Sequence, residues 1–155
     1  MKFCVLNKMT EYIPIFIPAI VGFGSAMICN VGKESGSVVA FRPPSWVFSV
    51  AWIILYALFG LSWYFARRDA KDKSQRLYVD IANIVLVCVI SLWLVIYACC
   101  NNKKGGVYVL GFSILTSLIA YTVASTTLSK VLICPLITWL IFAMLLNTFE
   151  VQKLK

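Results

Sequence analysis

Histidine is absent from this chain. That absence removes the commonest general base and the commonest metal-binding imidazole, including the usual ligand of haem iron. Acidic residues are scarce, six in all, and the apolar segments hold no paired carboxylates, so ordinary acid–base hydrolysis is not expected. The six cysteines are Cys4, Cys29, Cys88, Cys99, Cys100 and Cys134, and none forms a C-x-x-C pair. Neither a zinc site nor a disulfide framework is expected from them. Most are read as small buried hydrophobes. Charge is short too: 13% of residues, against roughly a quarter in ordinary soluble domains.

The charges leave long gaps. Uncharged runs of 21, 24, 22, 25 and 19 residues separate Glu11 from Lys33, Arg42 from Arg67, Asp80 from Lys103, Lys104 from Lys130, and Lys130 from Glu150. A helix crossing a bilayer needs about 20 apolar residues. Backbone polar groups in lipid must pair within their own segment, so each gap predicts a helix. A β-barrel would show shorter alternating segments. The expected fold is all-α: one five-helix transmembrane domain with spans near 12–30, 44–66, 79–100, 106–128 and 131–150. The first apolar run is longer than a signal-peptide h-region and no A-x-A site follows it, so it is read as the first span. No internal repeat supports an inverted-repeat transporter.

The net charge of +8 does not imply nucleic acid. Arg67, Arg68, Lys71, Lys73 and Arg76 crowd one short loop and suit anionic lipid headgroups. Eight basic residues on the N-terminal side against six on the other weakly favour a cytosolic N terminus. Asp80 and Glu150 sit at span ends and are read as solvated flanks. Residues 30–44, NVGKESGSVVAFRPP, form the only extramembrane stretch long enough for a lid. Two small-residue stripes, Ser113, Ser117, Ala120, Ala124 and Gly22, Ala26, predict close helix packing.

Pro43-Pro44 ends that loop and opens the second span, since proline suits a first helical turn. Trp46 then lies at the interface. Trp52 lies about 9 Å deeper at roughly 1.5 Å per residue, on one face with Tyr56. In the fifth span Trp139, Ala143 and Asn147 share a face one turn after Pro135. Tryptophans beside small residues suit an apolar pocket, although periodicity alone favours ordinary helix packing. Asn147 is read as an interhelical polar tie.

Phe41–Gly60 reads F-x-P-P-x-W-V-F-x-x-x-W-x-x-L-Y-x-x-x-G, and Ile133–Asn147 reads I-C-P-x-x-x-W-x-x-F-A-x-x-L-N. These resemble the two signature regions of the TspO/translocator protein (TspO/MBR) family. Pro18–Phe23 with Ala26 is similar to that family's first helix. The chain departs from the pattern at Val50 and Leu136, in the first loop, and in the third span, where Trp93 with Tyr97 is the surviving trace.

The resemblance implies a five-helix bundle whose cavity opens toward the first loop. It implies a membrane receptor or carrier binding protoporphyrin IX and cholesterol-like or benzodiazepine-type ligands. By motif position Trp52 and Trp139 are the cavity tryptophans. Phe48, Ser49, Ala51, Ala143 and Leu146 line its walls, and Ala26 contributes from the first helix. No catalytic residue, cofactor or metal is expected. Alternatives are a light-dependent porphyrin-degrading enzyme using Trp52 and Trp139, or a regulatory scaffold. Expected partners are a porphyrin or sterol-like molecule, membrane lipids and a second copy of the chain. The expected membrane is the mitochondrial outer membrane, the endoplasmic reticulum or a bacterial envelope.

Overall fold

Five helices follow one another along the chain: α1 (Lys2–Ile28), α2 (Ser45–Arg68), α3 (Lys73–Leu94), α4 (Lys103–Val123) and α5 (Thr127–Lys153). The computed structural model describes residues 2–29, 31, 32 and 35–154, with side chains from 11 onward. Asn30, Lys33 and Glu34 of the expected lid lie outside the described residues, as do Lys155 and the side chains of Lys2, Cys4 and Lys8.

Each helix is long and apolar enough to cross a membrane. They close a ring: α1 packs on α2, α2 on α5, α5 on α4, α4 on α3, and α3 back on α1. The outer surface is apolar, with Ile20, Met27, Tyr108, Phe112 and Leu115 exposed, as acyl chains require. The interior is filled by Phe59, Leu86, Leu110, Leu136 and Leu140.

The helix starts follow capping chemistry. Pro44 precedes α2, and Val47 N–H donates to its carbonyl (3.0 Å). Asp72 Oδ1 accepts from Gln75 N–H (2.7 Å), and Asn102 Oδ1 accepts from Gly105 N–H (2.8 Å). The fourth span stops earlier than the charge gap suggests. Thr126 caps α5, and Gln75 donates to the Val123 carbonyl at the end of α4. Lys130 therefore lies inside α5, one turn from its start. Charge gaps mark hydrocarbon; capping groups mark helix ends.

The fourth-span stripe and Gly22 are used for packing, while Ala26 lines the cavity described below. Ser113, Ser117, Ala120 and Ala124 are buried. At the α1–α2 crossing, a Cβ on Gly22 would run into the Tyr56 ring, and a Cβ on Gly60 into the backbone of Ile15.

Three expectations about charge and sulfur are corrected here. Cys29 and Cys99 form a disulfide across a separation of 70 residues, joining the end of α1 to the end of α3. Cys88, Cys100 and Cys134 are exposed rather than buried. A π-helical turn, Val95–Cys99, carries Cys99 to the bridge: Cys100 N–H reaches back five residues to the Val95 carbonyl (2.9 Å). Asp80 is not simply solvated. It accepts from Trp63 Nε1 (2.9 Å) and pairs with Arg67 (3.4 Å), tying α2 to α3 at the end of the bundle away from the first loop.

Candidate ligand cavity

A cavity of about 510 Å³ opens at the end of the bundle that carries the first loop. Helices α1, α2, α3 and α5 and the loop supply its described walls. Aromatic rings dominate. Trp52 stacks on Tyr56 (5.0 Å between centroids), Trp93 stacks on Tyr97 (5.0 Å), and Phe48 meets Trp139 edge-on (5.7 Å). Such offset and edge-on pairs hold the rings in place.

The structure places seven of the expected residues on these walls: Ala26, Phe48, Ser49, Trp52, Trp139, Ala143 and Leu146. Ala51 is not among them; it packs against the buried core. At 3.6 residues per turn it points roughly 100° away from the centre of the α2 face that holds Phe48, Trp52 and Tyr56. Tyr56, Trp93, Tyr97 and Glu150 also line the cavity and were missing from the sequence expectation. A signal for three of them exists in the sequence. Trp-x-x-x-Tyr occurs at both 52–56 and 93–97, and one helical turn brings each pair of rings together.

The first loop folds over the mouth as successive turns, Ser35 to Gly32, Val39 to Gly36 and Arg42 to Val39. Gly36 adopts φ +75, a left-handed conformation that favours glycine. Its N–H donates to Glu150 Oε1 (3.0 Å), and Tyr97 Oη donates to Glu150 Oε2 (2.7 Å). Glu150, expected to be a solvated flank, is 4% exposed. It ties the loop and the π-helical turn after α3 to α5. The neighbouring Phe149 holds Phe41 edge-on (5.3 Å). Two cations sit on rings of the same region: Lys103 Nζ lies 3.5 Å from the Tyr97 ring centroid, and Arg42 lies over Phe48 at 5.5 Å.

Replacing Glu150 with leucine strands the buried Tyr97 hydroxyl, at a cost of about 1–3 kcal/mol, and the part-buried Gly36 N–H. Amide exchange across 35–42 should then speed up at least about tenfold while the α2–α4 core stays protected. Unchanged exchange there would show that Glu150 does not hold the loop.

Asn147 departs from its expected role. It is 3% exposed, lines the cavity, and neither Nδ2 nor Oδ1 has a hydrogen-bond partner among the described residues.

A ring of five membrane-spanning helices, with an aromatic cavity at one end roofed by a docked loop, defines an integral multi-pass membrane protein. The TspO/MBR family model matches residues 13–151, and the chain belongs to that family. It is similar to the "Tryptophan-rich protein TspO" of Archaeoglobus fulgidus, at 27% identity over 108 residues, which covers 69% of each chain.

Proposed function

We propose that this chain is a membrane receptor or carrier that binds flat, largely apolar small molecules within the bundle. Tetrapyrroles such as protoporphyrin IX are the first candidates and sterol-like molecules the second. The observation that carries this reading is the cavity itself. Its 510 Å³ falls in the usual range for small-molecule sites, roughly 300–1,000 Å³. Indole and phenol faces from three helices supply stacking surfaces for a flat ligand. Ala26, Ser49 and Ala143 leave room between them.

Titration of protoporphyrin IX in the dark should quench tryptophan fluorescence saturably in the micromolar range. The double variant Trp52→Phe/Trp139→Phe keeps the apolar walls but shrinks both rings. Aromatic contacts are worth about 0.5–1.5 kcal/mol each, so affinity should fall roughly tenfold. Saturable quenching untouched by the double change would place the porphyrin elsewhere. Illuminating the wild-type complex then separates carrier from photochemical enzyme: a carrier returns the porphyrin intact.

The disulfide supports an orientation. Such bridges persist in oxidising compartments, so the loop face is assigned to the endoplasmic reticulum lumen or a bacterial periplasm. The basic α2–α3 loop then faces the cytosol, in keeping with the weak charge bias.

A further inference from the structure

We propose that Arg76, with Lys73 beside it, seats the phosphate of one anionic phospholipid at the end of the bundle away from the first loop. The site lies at the opposite end of the helices from the cavity and does not depend on what the cavity binds.

The carboxylates at this end are already occupied. Arg68 Nη2 donates to Asp69 Oδ2 (3.0 Å), and its Nε to Asp69 Oδ1 (2.6 Å). Asp72 caps α3 through the Gln75 N–H. Asp80 accepts from Trp63 at Oδ1 and pairs with Arg67 at Oδ2. Glu11, at the start of the first span, pairs with no cation among the described residues. Arg76 is left over. Asp80 lies four residues further along α3, the usual spacing for an arginine's ion pair, yet both of its oxygens are engaged from α2. Among the described residues Arg76 has no ion pair, and its buried Nε makes no hydrogen bond.

Arg76 is not a loose surface side chain. It is half-buried and continues the buried row Val79, Asn83, Leu86 and Ile90 of α3 at helical spacing. A guanidinium nitrogen shielded from water and left unbonded is costly, and it calls for an acceptor.

The surroundings specify that acceptor. The planar guanidinium fork matches two oxygens of a phosphate. Lys73, three residues earlier, adds a second cation on the same side of the helix. Both lie at the start of α3, which has no acidic residue in its first turn, and an anion there also meets the positive end of the helix. A lipid rather than a dissolved phosphate fits because this side of α3 turns apolar at once. Leu77, Ile81 and Ile84 are exposed and stand four, eight and eleven residues from Lys73, on one face. Acyl chains can follow that stripe while the phosphate stays at the charged end. Basic pockets between spanning helices take anionic headgroups in this way.

Native mass spectrometry of the full chain in neutral detergent tests the site, with dioleoyl phosphatidylglycerol and dioleoyl phosphatidylcholine as probes. Wild type should retain a single phosphatidylglycerol, at least about tenfold more tightly than phosphatidylcholine. Arg76→Gln should abolish that preference. Because Arg76 has no protein partner to lose, this variant should melt like wild type. Lys73→Gln, on an exposed side chain, should weaken retention roughly threefold. Lys71→Gln removes the same charge from an exposed loop position and should leave retention unchanged. Equal losses in Arg76→Gln and Lys71→Gln would mean diffuse charge attraction and overturn the seat, as would a wild type that retains both lipids alike. Glycerol 3-phosphate, a phosphate without chains, should fail to displace the lipid; full displacement at millimolar concentration would make a dissolved phosphate the ligand and overturn the lipid assignment.

Discussion

Gly60→Ala should destabilise the bundle by upwards of about 2 kcal/mol, although it adds one methyl group. Overpacking a well-filled interior costs about 1–3 kcal/mol when neighbouring side chains can shift. Here the obstacle is backbone. The new Cβ would meet the carbonyl group of Ile15 on α1, with the carbonyl carbon at 2.8 Å and Cα at 3.0 Å. No rotamer change relieves that contact; α1 and α2 must move apart. The same crossing carries Gly22 against Tyr56, so separation also disturbs the Trp52–Tyr56 wall of the cavity. Gly24→Ala is the matched control. Nothing lies within 4 Å of its Cβ position. Alanine there should add about 0.5–1 kcal/mol by removing a flexible residue from a helix interior. Thermal unfolding of the two variants in detergent should move in opposite directions. Equal melting temperatures would mean the α1–α2 crossing is looser than described.

The second large effect concerns the disulfide. Cys29→Ser, or reduction and capping, should lower stability by roughly 2–4 kcal/mol. The bridge closes a separation of 70 residues, for which chain entropy alone argues about 4 kcal/mol. Helices that remain in the bilayer on unfolding keep α1 and α3 near one another, which reduces the gain. The loss should be largest at the lid, because Cys29 lies at the root of the loop and Cys99 two residues from Tyr97. Cys88→Ser, on an exposed thiol, should leave melting unchanged. In sealed vesicles, a membrane-impermeant maleimide should reach Cys100 only from the loop face. A melting temperature indifferent to reduction would remove the bridge from the account. Labelling of Cys100 from the cytosolic side would reverse the orientation.

Much of the candidate site could be read in the sequence where one helix carries the relation. Trp52 with Tyr56, and Trp139 with Ala143 and Asn147, are fixed by helical periodicity, and the observed cavity walls contain all five. Ala51 went astray because motif position gives a neighbourhood, whereas the helix face decides which side chain points inward. Glu150 was misread for a different reason. A carboxylate at a span end is indistinguishable, along the chain, from a solvated flank. Only the approach of Gly36 and Tyr97, 114 and 53 residues away, makes it a buried acceptor.

Composition and charge spacing alone determined the membrane, the helical class and the number of spans. Lipid cannot satisfy a backbone amide, and five uncharged runs leave no other way to satisfy theirs. Capping side chains, also local, set the helix ends. The tertiary structure decided what depends on distant pairs: the Cys29–Cys99 bridge, the Glu150 tie to the lid, and the approach of Asn147 to Gly106. Each joins segments far apart in the chain, and periodicity within one helix carries no information about its neighbour.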